Sequence, residues 1–413
     1  MLKTRCRESM SGRWVKILGV LYLLATACSS EQAVPDENTG SGGYGDVDGD
    51  SDGDSDSDAV PPFFSKETIW YKDRTGETPH VDSSAVISWM AESGNSFGSD
   101  GEFLIDLGIK VLHANNEVLL RIFDPRPDAF WESECDLGHL PVPEGGSIEG
   151  AVDYSCPGDE DDCHLLVVSK QYDLLFEAWR ADISGGVYNA GDFVSGCMAV
   201  WDLKRDYGWN VVTGLDYDHM GRGRGCTSAD AAGFPIAPLL FTPEELAGKE
   251  VGHALRFTLP NRNIRAKKYV APATHVTPAV TGPDTAPPYG AQLRLKPDAQ
   301  LVAAHLDVNL NKLPVGARAI ITALQKYGMF LSDGGTIALT GQSDLHSDTK
   351  YCDHDRFNYC DEDPDRLLHE HDLKFLKITD FEMLDNGGPL YDSDADCSLL
   401  YRLDDETHKI TER

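Results

Sequence analysis

Long apolar runs are missing from this sequence. No stretch of 18 or more apolar residues occurs in its 413 positions, which excludes a multi-pass helical membrane protein. Basic residues are scarce: 36 Lys and Arg stand against 68 Asp and Glu, a formal net charge of −32. Affinity for a polyphosphate backbone needs basic surface, so no nucleic-acid partner is expected. There is no C-x-x-C pair and no H-E-x-x-H run, which argues against structural or catalytic zinc. The glycine-rich run 221–226 lacks the G-K-[ST] ending of a phosphate-binding loop and reads as a loop held at Cys226. No serine- or cysteine-protease signature is read either.

What is present begins with an address. Lys3, Arg5, Arg7, Arg13 and Lys16 face a single acid, Glu8, and the uncharged run 17–27 follows. A basic start and a short apolar stretch make a secretory signal rather than a membrane span. The run ends at Leu24-Ala25-Thr26-Ala27-Cys28. It resembles the lipobox of bacterial lipoproteins, although Ala25 stands where leucine is usual. That resemblance implies lipidation of Cys28, a membrane partner through the lipid, and, with Ser29 next, an outer-membrane or cell-surface location. Secretion after a cut behind Ala25-Thr26-Ala27 is the alternative.

Residues 28–61 form an acidic tether, with Asp at every second position from 46 to 58 and Tyr44 as the one aromatic between 29 and 60. Such a segment buries too little apolar surface to offset chain entropy, so it is expected to be disordered. Asp46, Asp48 and Asp50 copy the start of an EF-hand loop. Glycine is absent from the sixth position, however, and Ser57 stands where glutamate is needed. No cofactor is expected; calcium is the one ion these acids fit. Without residues 1–60 the net charge is still −26.

Eight cysteines remain: Cys135, Cys156, Cys163, Cys197, Cys226, Cys352, Cys360 and Cys397. An even number in an exported chain reads as disulfides. Spacing favours Cys156–Cys163 and Cys352–Cys360. Cys197–Cys226 and Cys135–Cys397 complete the expected set.

Residues 62–413 read as one β-rich domain, with a subregion beyond about 300. Short apolar runs such as 103–113, 164–169, 172–181, 196–203, 253–259, 291–296 and 335–341 are separated by Gly, Pro, Asp and Asn. Several alternate apolar and polar, as half-buried strands do. The expected class is mainly β, a β-sandwich or jelly roll with a few short helices. Helices are expected over 83–91, after Thr242, where Pro243 and two acids follow, and over 317–327 with Gly328 at the end. The proline-rich run 271–289 reads as a long loop.

The segments QYDLLFEAWRA, GFPIAPLLFTPEELAGKEVGHALRFTLP, YVAPATH, PPYGAQLRLK and LQKYGMFLSDGG, in this order, resemble an uncharacterised family of secreted bacterial proteins over residues 170–340. The resemblance implies an exported β-rich architecture and points to residues within these runs.

On strand alternation Asp173, Leu175, Glu177 and Trp179 share one face. An indole beside two carboxylates is how sugar clefts are built: the ring stacks on a pyranose, and the acids donate and accept protons. Asp173 and Glu177 are thus candidate catalytic groups, with Trp179 and Arg180 as substrate contacts. An edge strand with Glu177 paired to Arg180 fits the same letters. His253, Arg256, Tyr269 and His275 form a second set: histidine, tyrosine and arginine also serve a β-eliminating polysaccharide lyase. A lone buried histidine is more often a satisfied core residue, and each of these two fits that position. Asp218 and His219 are further cleft candidates. The run 344–372 is rich in His and acids without fixed ligand spacing. The functional expectation is a surface lipoprotein that binds, and as a glycoside hydrolase cleaves, a carbohydrate polymer. Its rival is a non-catalytic adhesion or scaffold protein.

Overall fold

The computed structural model describes residues 63–413 apart from 99–100, 116–117, 119, 126–133, 157–161, 184–192, 354–359, 394–396, 398–400, 404–409 and 413. The chain divides into units 1–57 and 58–413, and every described residue lies in the second. The export signal, Cys28, the acidic tether and His354 fall outside the described residues.

Ten strands build two sheets: β1 (Ile105–Ile109), β2 (Val111–Ala114), β3 (Leu165–Ser169), β4 (Leu174–Trp179), β5 (Cys197–Asp202), β6 (Leu255–Leu259), β7 (Gln292–Leu295), β8 (Met329–Gly334), β9 (Leu339–Gln342) and β10 (Phe381–Met383). The larger sheet has the order β1-β9-β6-β8-β7-β10 and the smaller β5-β4-β3-β2. The mainly-β class holds. The strand pairing departs from an antiparallel jelly roll, because β1 runs parallel to β9, β6 to β8, and β2 to β3.

One residue, Lys110, separates β1 from β2, so the chain passes there from one sheet to the other. Lys110 is buried. Its ammonium donates to the carbonyls of Ile148 (2.7 Å) and Ala151 (2.6 Å), which satisfies a charge that burial would otherwise penalise.

The smaller sheet corrects the expected half-buried alternation. Leu166, Val168, Leu175, Ala199 and Trp201 join the larger sheet in one core. Leu165, Val167, Leu174, Phe176, Met198 and Val200 point the other way into a second core. A sheet covered on both faces reads as a continuous apolar run rather than as alternation. Trp201, Trp209, Trp70 and Phe330 then form a chain of ring contacts from β5 to β8, with centroids 5.1–5.6 Å apart. Such contacts add to the area that these side chains remove from water.

Among the described residues four α-helices accompany the sheets: α1 (Ser83–Met90), α2 (Pro243–Ala247), α3 (Asp298–Ala304) and α4 (Val315–Lys326). Helix α2 starts on a complete capping box between Thr242 and Glu245. Helix α4 turns Ala317, Ile320, Ile321 and Leu324 inward, and Gly328 ends it at φ 74°, a left-handed position that favours glycine.

Four disulfides tie the unit. Cys156–Cys163 and Cys352–Cys360 close the expected local loops. The other two differ from expectation: Cys135 pairs with Cys197 and Cys226 with Cys397. The cause is in the sheet. Asp136 N donates to Met198 O at 2.8 Å, so the chain before Asp136 runs alongside the start of β5 and brings Cys135 to Cys197. Proteolysis under non-reducing conditions is expected to yield linked peptides carrying Cys135 with Cys197 and Cys226 with Cys397, identified by mass spectrometry. Replacing Cys226 and Cys397 by Ser is expected to lower stability by about 2–5 kcal/mol.

Candidate functional site

The sequence candidates separate into structural groups and cavity groups. Glu177 lies inside β4, between β3 and β5, and is wholly buried. It is therefore neither on an edge strand nor facing water. Its carboxylate accepts from the backbone N–H groups of Ile236 (2.8 Å) and Ala237 (2.8 Å) and from Trp201 Nε1 (3.1 Å). Burial pushes its pKa up to about 7 against those three donors. It caps the single turn Ala237–Leu239. Asp173 precedes β4 at φ 53° and pairs with Lys204 at the surface, so it shares no face with Glu177. Tyr269 is buried with its ring stacked on Tyr391 at 5.4 Å. His219 is exposed beside Asp216.

His253 has both ring nitrogens engaged, Nδ1 with Ala254 O (2.8 Å) and Nε2 with Glu245 (3.2 Å). Burial opposes its charge, but the Glu245 carboxylate outweighs burial and raises the pKa.

Trp179 and His275 do meet, in a cavity of about 210 Å3 lined also by Asp162, Asn261, Thr277 and Asp333. Trp179 ends β4, and its Nε1 donates to Asp162 Oδ1 at 2.6 Å. Gly196 lies against the indole: a Cβ there would sit 3.0 Å from Trp179 Cε3, so a larger residue would require the ring to shift by a few tenths of an ångström. Arg180 lies 5.5 Å from the ring centroid. His275 Nδ1–H donates to Ala231 O (2.7 Å), and its Nε2 faces Glu134 at 3.3 Å. Burial lowers the His275 pKa and raises that of Glu134, the latter against the lowering effect of the Arg222 charge.

Asp333 owes its position to a bulge. Strands β6 and β8 are in register at Phe257 and Leu331, and then Thr258 faces Asp333. Ser332 is the extra residue, so two consecutive side chains turn to one cation. Arg256 Nε donates to Ser332 Oγ (3.1 Å), and Arg256 Nη2 lies 3.8 Å from Asp333. The guanidinium also donates to Asp230 at 2.7 and 3.2 Å and to Thr340 Oγ1 at 3.0 Å. Arg256 is thus a buried organiser behind the cavity, where the sequence placed it as a substrate contact. Nearby, His164 holds Glu149 at 2.6 Å and Ala229 O at 3.0 Å.

Four acids, Asp106, Glu149, Asp230 and Asp333, share this layer with two cations, Arg256 and His164. All four cannot ionise cheaply there. Asp230 makes the short bonds to a guanidinium that never deprotonates. Asp333 has the longer contact, and burial followed by the Asp230 charge pushes it up to about 7. Its side chain keeps 25% exposure, toward the cavity it lines. A proton donor beside an exposed carboxylate, Asp162, with an indole wall, is an arrangement able to bind and protonate a hydroxylated ring.

Comparison with protein families, with curated proteins and with solved structures finds no match. The site is therefore read from its geometry alone. Asp162, Asp230 and Asp333 were not singled out in the sequence; Asp333 appears there only as the acid closing LQKYGMFLSD. The letters Gly94-Asn95-Ser96-Phe97-Gly98 fit G-x-S-x-G, but the run follows α1 rather than a strand, and Ser96 O accepts from Asn263 Nδ2; it is not a nucleophile elbow. Among the described residues no group of three or more His, Cys, Asp or Glu is placed to hold a metal ion.

Two substitutions separate the roles of the acids. Asp230→Asn leaves Arg256 buried without its ionic partner and is expected to cost about 3–5 kcal/mol. Asp333→Asn removes a charge whose pKa is raised in the fold. The stabilisation linked to that raised pKa is complete below the unfolded value and lost as pH rises through 7. The variant should match the wild type near pH 4 and exceed it by roughly 1–3 kcal/mol at pH 8. Melting curves at both pH values check this.

Proposed function

We propose that this protein is an envelope lipoprotein whose β-rich unit binds a carbohydrate polymer at the Trp179–Asp333 cavity and cleaves it by hydrolysis. The observation that carries the reading is the cavity that brings the Asp333 carboxyl together with Asp162 and the Trp179 indole; the raised pKa of Asp333 supports it. The indole supplies a stacking wall for a sugar ring. Asp333, protonated near neutrality, donates to the leaving oxygen. Asp162 carries the complementary negative charge, as carboxylate pairs do in glycoside hydrolysis. Polar groups of Asn261 and Thr277 are available for ring hydroxyls.

The first set of expected residues enters this reading in a changed form. Trp179 keeps its place at the substrate, and His275 joins it in the wall. Glu177 and Arg256 support the site from behind. Lyase chemistry on uronates is less supported, because among the described residues no Lys or Arg lines the cavity to neutralise a substrate carboxylate. The envelope address rests on residues 1–28 and the lipid anchor at Cys28.

The test is a panel of polysaccharides assayed for binding and for reducing-end release. Release should fall as pH rises through about 7, where Asp333 loses its proton. Asp333→Asn should lower release by about 100-fold or more without loss of melting temperature. Trp179→Ala should weaken binding about tenfold. Binding without release at any pH would leave a lectin-like module. Neither binding nor release on any polymer would favour the adhesion or scaffold reading.

A further inference from the structure

A second cavity of about 540 Å3 lies beside α2 and is separate from the first in every lining residue. Its size falls within the usual range for small-molecule sites, roughly 300–1,000 Å3. Three aromatic rings, Phe63, Tyr71 and Tyr327, and the apolar Pro238 and Leu240 line it. Three carboxylates, Glu244, Glu245 and Glu250, share the lining with one lysine, Lys66, and with His253.

The partners of these acids decide what the cavity can take. Glu245 is committed: it accepts from Thr242 N (2.9 Å) and Oγ1 (3.1 Å) and holds His253. Glu244 accepts from Ser347 Oγ. Glu250 is exposed; its backbone N–H donates to Glu245 O at 3.1 Å, and its carboxylate makes no hydrogen bond or ion pair among the described residues. Even counting His253 as a cation, the three carboxylates of the lining outnumber Lys66 and His253, in a chain of net charge −32.

The aromatic walls favour cations as well. The Tyr71 hydroxyl donates to Phe63 O at 2.8 Å, which fixes the ring. Tyr327 already accepts a cation, with Lys326 Nζ 4.9 Å from its ring centroid. Rings together with carboxylates and few donors suit a weakly hydrated organic cation better than an anion or a neutral polyol. We infer that this cavity binds a small alkylammonium ion carrying an apolar body. The site is independent of the carbohydrate reading, since the two cavities share no lining residue.

Isothermal titration of the full chain with choline tests the assignment. The neutral isostere 3,3-dimethylbutan-1-ol is run alongside, and phosphatidylcholine vesicles form a third arm. Choline should saturate one site and bind about tenfold or more tighter than the alcohol. Glu250→Gln, an exposed change that leaves the core intact, should weaken choline about fivefold. Tyr327→Leu should weaken it by a similar factor. Vesicle binding that free choline displaces would identify a lipid headgroup as the source; choline binding without vesicle binding would identify a free solute. No saturable heat up to about 10 mM choline, equal affinity for the alcohol, or unchanged affinity in both variants would overturn the inference.

Discussion

Arg256 is buried in the larger sheet with its guanidinium divided among Asp230, Ser332, Thr340 and Asp333. An unpaired cation at that depth would cost several kcal/mol, so the surrounding backbone is arranged to satisfy it. The bulge at Ser332 turns two neighbours of β8 to one side. Asp230 is held by its own turn, its Oδ1 accepting from Ala232 N at 3.2 Å. Thr340 comes from β9 on the other flank of β6. The candidate site inherits this constraint. Asp230 satisfies the arginine first, and Asp333, left with the weaker share, holds its proton into the neutral range.

Glu177 applies the same logic one layer away. Its strand ends at Trp179 in the first cavity, while its carboxylate holds Ile236 and Ala237, and Ala237 lines the second. The buried acid thereby fixes backbone at the wall of the second cavity. The donors come from a segment about 60 residues later in the chain. This explains why a glutamate is kept in an otherwise apolar strand without any contact with ligand space.

Local features were legible in the sequence and distant ones were not. Thr242 with Glu245, the end of α4 at Gly328, and the two short cysteine loops depend on neighbours within a dozen residues. Cys135–Cys197 and Cys226–Cys397 span 62 and 171 residues, and spacing carries no information at that range. Glu177 stood out as a charge in an apolar run, yet its role follows from Ile236 and Ala237, which only the fold brings near. Asp333 was hidden because Ser-Asp-Gly-Gly reads as a turn, whereas the structure continues β8 through it by a bulge. Asp162 was hidden in an acidic loop whose other members look like solvated surface; its bond from Trp179 singles it out. The alternation argument misplaced Asp173 because the strand starts one residue later, at Leu174.

The central claim is that the Arg256 layer leaves Asp333 protonated at the cavity near neutral pH. The most direct measurement is a carbon-detected NMR titration of the Asp333 carboxyl in the folded protein, assigned by comparison with Asp333→Asn. The account predicts a midpoint near 7, moving toward the ordinary value when Asp230 is neutralised in a variant that still folds. A midpoint near the usual aspartate value of about 4 would contradict it, and with it the assignment of Asp333 as the proton donor.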